Sequence, residues 1–146
     1  MSVETKVMSA YCDQLVAYYQ FHSMHINVTG RNFESDHEML GDIYTDSQAE
    51  IDKMGEILRT LRLKVPTTLA TILDCAEITE EDTEYYSADE MLQLAYDTVE
   101  TLISCYQEVI EECGSDAECA HISNYFQDRV LQLEKFCWQL RSTLEA

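Results

Sequence analysis

The chain has 146 residues, of which 46% are hydrophobic, so it is long enough for one domain with one core and too apolar to be disordered. It carries 9 Lys and Arg against 28 Asp and Glu; the net charge of −19 disfavours nucleic-acid binding, attracts divalent cations and, most simply, confers solubility. No apolar stretch follows the polar start, and none approaches the roughly 18 residues that span a membrane, so we expect a cytoplasmic protein.

Two long helices are predicted in the first half of the chain. The first covers residues 3–28, where apolar side chains recur every three or four positions, and Gly30 supplies its stop. The second begins near Ser35 or Asp36, since either is a good N-cap, and ends by Lys64, before the only proline. The short turn between them predicts an antiparallel pair.

A second pair of helices is predicted in the second half. The third helix starts after Ser87, which forms the capping box Ser-x-x-Glu with Glu90, and Gly114 ends it. The fourth helix covers residues 116–144, where apolar side chains again follow the helical period. These two helices are also joined by a short turn and form the second antiparallel pair.

A long connection, residues 65–87, joins the two pairs and carries a short helix at Leu69–Cys75. About twenty residues is long for a link between neighbours but long enough to travel the length of a bundle. Two short turns and one long crossover between four helices describe the ferritin-like bundle. We therefore predict an all-α fold, with residues 1–146 forming a single ferritin-like domain.

The cysteines show no Cys-x-x-Cys pair, and no export signal is present, so we expect free thiols in a reducing cytosol. The six are Cys12, Cys75, Cys105, Cys113, Cys119 and Cys137. Because Cys113 and Cys119 flank a short turn, a disulfide between them is the alternative.

Two Glu-x-x-His pairs occur, Glu34 with His37 and Glu118 with His121. In di-iron carboxylate bundles such pairs come from two helices and meet inside one subunit. Here they lie at the starts of the second and fourth helices, which the long crossover places at opposite ends of the bundle. The middle of the first helix offers only Asp13 as a nearby acid. A di-iron centre within one subunit is therefore disfavoured.

A second set of metal-capable side chains consists of His25, Asp52 and Glu56 together with His37. His37 and Asp52 share a face of the second helix, but 15 residues separate them by about 22 Å along its axis. Ligands lie about 2 Å from their ion, so these two cannot hold the same ion within one chain. Asp52 and Glu56 are one turn apart and can share an ion. If the histidines belong to the same metal site, they must meet the carboxylates of a second copy across a two-fold axis.

Three stretches carry a resemblance to a known family. They are His-Ile-Asn-Val-Thr-Gly-Arg-Asn-Phe at 25–33 with a second His at 37, Ile-Asp-Lys-Met-Gly-Glu at 51–56, and Leu-Glu-Lys-Phe-Cys-Trp-Gln-Leu-Arg at 133–141. They resemble the Dps family of mini-ferritins, and the resemblance spans nearly the whole chain.

The resemblance implies a hollow homo-dodecamer with a ferroxidase site at each two-fold interface. Carried over, His25 and His37 would ligate iron from one subunit, and Asp52 and Glu56 from its neighbour, with Glu56 able to bridge two irons. Mixed imidazole and carboxylate ligation suits Fe(II). The implied activity is oxidation of Fe(II) by hydrogen peroxide or oxygen and storage of ferric mineral, which protects against oxidative damage.

The ligand set departs from the family pattern at one position. The family usually has an Asp four residues after the second His, and this chain has Gly41. Asp42 is adjacent, but about 100° further round the helix. A ligand of the second iron position is therefore missing, and slower oxidation is expected. His22, one turn before His25, is a spare ligand or, more simply, an interface histidine.

Two further departures concern electron transfer and DNA. The residue after the first His is commonly Trp, and here it is Ile26, which leaves Tyr44 and Trp138 to take up radical equivalents. Packing between helices is the simpler role for both. DNA-binding members usually carry a Lys/Arg-rich tail, which this acidic chain lacks, so direct DNA binding is not expected.

A second function remains open. A shell of the same fold that has lost efficient ferroxidation could sequester metal or act as an interaction protein. Zinc could then occupy the same imidazole and carboxylate ligands.

Overall fold

The structure, a computed structural model that describes residues 2–145, contains five α-helices and no strand within that range. They are α1 (Val3–Asn27), α2 (Phe33–Thr60), α3 (Leu69–Cys75), α4 (Ala88–Cys113) and α5 (Ala120–Leu144). The prediction of an all-α, ferritin-like bundle whose long crossover carries a short helix is confirmed. The predicted domain, residues 1–146, also includes Met1 and Ala146, which lie outside the described residues.

Polar contacts between α2 and α5 define the direction of the helices. The Tyr125 hydroxyl donates to the Glu50 carboxylate at 2.6 Å, and Arg129 pairs with Asp46 at 2.9 Å. Residue numbers rise along α5 as they fall along α2, so these helices are antiparallel. Because α4 and α5 are also joined as an antiparallel pair, α2 and α4 run parallel, and the crossover must travel the length of the bundle.

Apolar side chains from α1, α2, α4 and α5 fill the space between the helices. The largest fully buried ones include Phe21, Met24, Leu40, Ile43, Met54, Leu58, Leu102, Tyr106, Phe126, Leu133 and Leu140. Burying each aliphatic or aromatic side chain of this size contributes about 1.5–3 kcal/mol. No helix in the part of the chain that the structure describes is both long and apolar enough to cross a membrane.

Side chains on α1 anchor the crossover. The fully buried Asp13 accepts hydrogen bonds from the backbone N–H groups of Glu77, at 2.7 Å, and Ile78, at 3.0 Å. Gln20 donates to the Glu81 carbonyl at 3.0 Å and accepts from the Glu81 N–H at 2.9 Å. These bonds satisfy backbone groups that have no helical partner, so the crossover is held along α1 rather than looped into solvent.

The start of α4 agrees with the prediction from the sequence, whereas the start of α2 differs from it. Both bonds of the capping box are present: Ser87 accepts from the Glu90 N–H and Glu90 accepts from the Ser87 N–H, at 3.2 and 3.0 Å. In contrast, α2 begins at Phe33, so Ser35 and Asp36 are not its N-caps, and Asp36 is buried. Burial, followed by repulsion from Asp89 at the start of α4, raises the pKa of the Asp36 carboxyl.

The far end of α2 lies within the predicted limit, because the helix was expected to end by Lys64 and stops at Thr60. Arg62 takes a left-handed backbone with φ of 67°, and the Leu63 N–H returns to the Leu58 carbonyl at 2.9 Å. This is a helix stop of the kind that usually uses glycine. A non-glycine residue in that position gives no signal in the sequence.

The turn between α4 and α5 contains a disulfide, so the expectation of free thiols is wrong for Cys113 and Cys119. Gly114, with φ of 55°, reverses the chain after α4, and a single 3₁₀ turn, Ala117–Cys119, precedes α5. The two Cα atoms are 5.5 Å apart, which is within the range that a disulfide spans. The other cysteines, Cys12, Cys75, Cys105 and Cys137, are free thiols.

Candidate metal centre

Two predicted metal ligands, His25 and His37, lie face to face. His25 is in the last turn of α1 and His37 in the second turn of α2. Gly30, with φ of 123°, lies in the reversal between the helices, a backbone conformation that side chains rarely allow. The ring centroids are 3.9 Å apart and the ring planes differ by 13°. The turn thus brings together two side chains that are twelve residues apart in the sequence.

Reciprocal hydrogen bonds select the tautomer of both histidines. His25 Nδ1 lies 2.7 Å from the His37 carbonyl oxygen, and His37 Nδ1 lies 2.6 Å from the His25 carbonyl oxygen. Because a carbonyl only accepts, each Nδ1 must carry a proton and donate it. In the neutral imidazole the lone pair is then on Nε2. Metal-binding histidines are commonly oriented by such a bond to a backbone carbonyl, and both rings have this arrangement.

Aromatic side chains enclose the pair. Phe33 stacks on the outer face of His37 with a centroid distance of 5.1 Å, and the Tyr44 ring lies 5.3 Å from that of His25. Of the two roles predicted for Tyr44, packing between helices is the one that the structure supports, since the ring packs between α1 and α2 beside the histidine pair. Trp138 differs: its side chain is 56% exposed, so in this chain it does not pack between helices.

His22 is near the histidine pair, but no hydrogen bond to a carbonyl orients its ring. Its ring centroid is 6.5 Å from that of His25, and it packs edge-to-face on Tyr44 at 4.8 Å. Its Nδ1 is buried and has no hydrogen-bond partner among the described residues. Without an acceptor for an Nδ1 proton, the tautomer with a free Nε2 lone pair is not favoured. A packing histidine therefore fits better than a spare ligand.

The two predicted carboxylate ligands lie elsewhere on the same helix. Asp52 and Glu56 are exposed, one turn apart, on the uninterrupted helix α2. At about 1.5 Å per residue, Asp52 is roughly 22 Å from His37 along the axis. The chain thus brings the two histidines together and leaves the two carboxylates apart from them.

The interior of the bundle is occupied by a cation. Arg129 is 3% exposed and forms a two-pronged ion pair with Asp46, at 3.1 and 2.9 Å. The Tyr106 hydroxyl donates to the side-chain oxygen of Gln14, which also lies 3.5 Å from Arg129 Nη2. A buried guanidinium in this position repels metal cations. This is a physical reason against the di-iron centre within one subunit.

The two Glu-x-x-His pairs are also far apart, as predicted. His121 lies one turn before Tyr125, which bonds to Glu50 in the second half of α2, whereas His37 is near the start of α2. The thirteen residues between His37 and Glu50 alone correspond to about 20 Å.

Among the described residues one group of three metal-capable side chains is close together, namely Asp13, Glu77 and Cys105, whose possible ligand atoms lie within 4.8 Å of one another. Asp13 already accepts from two backbone N–H groups and from the Cys105 thiol at 3.2 Å. Burial, followed by the Asp13 charge, raises the pKa of Cys105 and keeps its thiol protonated. The group is therefore an anchor for the crossover. The sequence feature that could have revealed this anchor is Asp13, an acidic residue among the buried residues of α1. A search for the usual spacings of metal ligands does not find it.

Relatives and solved structures agree with this architecture. A DNA protection during starvation protein of Brevibacillus brevis is 29% identical over 131 residues, which cover 90% of this chain and 87% of that protein. A Dps crystal structure from Bacillus brevis superimposes with a TM-score of 0.91 at 26% identity, over 98% of this chain and 95% of that one. A Vibrio cholerae Dps, described as a member of a broad superfamily of ferritin-like diiron-carboxylate proteins, gives 0.91 at 23% identity, over 98% and 89%. This last likeness concerns the fold alone.

The ferritin-like domain family matches residues 6–146. The chain therefore belongs to the ferritin-like family, as one of its Dps mini-ferritins. The resemblance carried by the three sequence stretches is confirmed.

Proposed function

We propose that copies of this chain assemble into a shell, bind Fe(II) between subunits, oxidise it with hydrogen peroxide or oxygen, and store the product as ferric mineral. The observation that carries the proposal is the histidine pair. His25 and His37 each donate Nδ1–H to the other's carbonyl, so both Nε2 lone pairs are free for a metal ion.

The arrangement of the pair favours two ions rather than one. An imidazole binds a metal in its ring plane at about 2.1 Å. The planes of His25 and His37 differ by only 13°, so no single ion can lie in both. The ring separation of 3.9 Å is similar to the roughly 3.5–4 Å between ions in two-metal sites. In this proposal each histidine holds one Fe(II).

The neighbouring subunit supplies the negative charge. Two neutral imidazoles compensate none of the charge on Fe(II), whereas exposed Asp52 and Glu56 of a second copy offer two carboxylates one turn apart. Glu56 has two oxygens and could bridge both ions. The −19 charge of each chain would also concentrate Fe(II) at the shell before it reaches the site.

The chemistry balances with two ions. Each Fe(II) gives one electron, and together they reduce one hydrogen peroxide to two waters with uptake of two protons. A paired site therefore delivers both electrons at one place, which avoids a free one-electron product of peroxide. Hydrolysis of the Fe(III) then releases protons and forms the mineral.

The test is anaerobic loading of purified protein with Fe(II), followed by peroxide and measurement of ferric absorbance. A shell of twelve chains would have a mass of 12 × 16.9 kDa, or about 203 kDa. We expect rapid, soluble colour in a particle of that size. The variant with both His25→Ala and His37→Ala should assemble but oxidise slowly, and His121→Ala, an exposed histidine on α5, is the matched control. Equal rates of iron oxidation in the wild type, the double variant and His121→Ala would contradict the site assignment.

The second candidate is a shell that sequesters metal without efficient oxidation. It is favoured by Gly41, because this subunit then offers imidazoles and no carboxylate to the site. Slow oxidation by an intact shell that binds Zn(II) at the histidine pair would support this function over the first.

A further inference from the structure

We propose that Gly41 is a positioning residue of the metal site, because only a residue without a side chain lets the His25 ring rest against α2. On this view Gly41 is not a lost ligand: a carboxylate at this position and His25 in its present place exclude each other. The inference rests on the proposed function, which it deepens.

The close approach of His25 to α2 carries the argument. A Cβ atom added at Gly41 would lie 2.8 Å from His25 Cε1 and 2.9 Å from His25 Nδ1. Non-bonded carbon atoms are at their best separation at about 3.5–4.0 Å. Even the methyl group of alanine therefore overlaps the ring, and aspartate begins with the same Cβ.

Three contacts oppose a movement of the His25 ring. Its Nδ1–H is bonded to the His37 carbonyl at 2.7 Å, and its ring stacks on that of His37 with a centroid distance of 3.9 Å. The Tyr44 ring is 5.3 Å away on α2. A movement of the His25 ring large enough to relieve the overlap also moves its Nδ1 atom, which is one of the two atoms that the added Cβ would contact. The bond that keeps the Nε2 lone pair free is then lost.

A second glycine on the same helix provides a comparison. A Cβ at Gly55 would lie 3.6 Å from Tyr11 Cε2 and 3.6 Å from Val65 Cγ1, which are ordinary contacts. Glycine inside a helix is generally less stable than alanine. That cost applies at both positions, but a steric reason for glycine exists only at Gly41.

The consequence is a division of roles between subunits. With Gly41 in place, the subunit that provides His25 and His37 contributes oriented neutral ligands, and the carboxylates must come from the neighbour. Introducing the aspartate that the family usually has would then not restore a ligand on this backbone. It would weaken metal binding by displacing His25.

The experiment compares Gly41→Ala, Gly41→Asp, Gly55→Ala, His25→Ala and the double variant His25→Ala/Gly41→Ala. Binding of Co(II) alone is followed by visible absorbance and calorimetry. Particle size and melting temperature are measured on the same samples. A crystal structure of metal-free Gly41→Ala gives the position of the His25 ring.

We expect both Gly41 variants to bind Co(II) at least about tenfold more weakly than wild type, the scale of losing a group that orients a ligand. Gly55→Ala should bind within about twofold of wild type, because its added Cβ makes only ordinary contacts and leaves the neighbouring backbone of Glu56 in place. Because the clash needs the ring, the double variant should bind no more weakly than His25→Ala alone. The metal-free structure should show His25 displaced from the His37 carbonyl.

Several outcomes would overturn the inference. Wild-type or tighter Co(II) binding by Gly41→Asp would do so, as would an unmoved His25 in the metal-free Gly41→Ala structure. If Gly41→Ala fails to assemble, rescue of assembly by the added His25→Ala supports the clash, and failure of both variants refutes it. Should wild type itself bind no Co(II), the proposed function fails, and the metal-free structure still decides the role of Gly41.

Discussion

The buried ion pair of Arg129 and Asp46 allows a quantitative prediction for the variant Asp46→Ala. The side chains of Arg129 and Asp46 are 4% and 18% exposed, and the carboxylate accepts from both terminal nitrogens of the guanidinium. Removing the carboxylate leaves a cation inside the bundle without its counter-charge. Loss of one partner of a buried pair costs about 3–5 kcal/mol.

The expected size of the effect can be measured as a melting temperature. For a chain of this length, 1 kcal/mol in the free energy of unfolding corresponds to roughly 3–4 °C, so Asp46→Ala should lower the melting temperature by about 9–20 °C. Protein concentration must be held constant, because subunit association adds to the apparent stability. The pair of Lys53 and Glu50, at 3.2 Å, is the control: the Lys53 side chain is exposed and Glu50 keeps its bond from Tyr125, so Lys53→Ala should change stability by about 1 kcal/mol or less.

A third variant separates loss of the pair from loss of packing. Replacing both partners, with Arg129→Met and Asp46→Leu, removes both charges and should return stability to within about 1–2 kcal/mol of wild type or above it. The reasoning is refuted if Asp46→Ala costs no more than Lys53→Ala. It is also refuted if the double replacement is as unstable as Asp46→Ala, since the loss would then come from shape rather than from charge.

Two further predictions concern the crossover and the capping box. Asp13→Ala leaves the backbone N–H groups of Glu77 and Ile78 without their acceptor, so it should cost about 0.5–1.5 kcal/mol for each lost hydrogen bond and speed amide hydrogen exchange at these two residues. Unchanged exchange there would show that the crossover is held by other contacts. The hydrogen bond from the Ser87 N–H lowers the pKa of the Glu90 carboxyl. The bond therefore stabilises the folded chain fully above the ordinary glutamate pKa, and this stabilisation is lost as the pH falls through the lowered pKa of Glu90. The difference in melting temperature between wild type and Glu90→Gln should therefore shrink on acidification, and a constant difference would contradict this assignment.

Local signals in the sequence determined most of the helices and their order. The capping box at Ser87, the glycine at Gly114 and the apolar period are short-range features, and α4 begins and ends where they indicate. The boundaries of α2 were predicted less precisely, because the helix begins at Phe33 without a side-chain cap and ends through a left-handed Arg62. The first end lacks a side-chain cap and the second has arginine where glycine is usual, so capping rules do not locate either end in the sequence.

Distance along a helix is also fixed by the sequence, and residue spacing alone is enough to separate His37 from Asp52. What spacing does not fix is the rotation and approach of two helices, which decide the partners of each side chain. The carbonyl contacts that set the tautomers of His25 and His37 depend on that approach, as does the contact of His25 with Gly41. From the sequence alone Gly41 indicated a missing ligand; in the fold it is the place where the His25 ring rests. Tertiary structure made that difference because van der Waals overlap and hydrogen bonding change over a few tenths of an ångström, far below what residue spacing specifies.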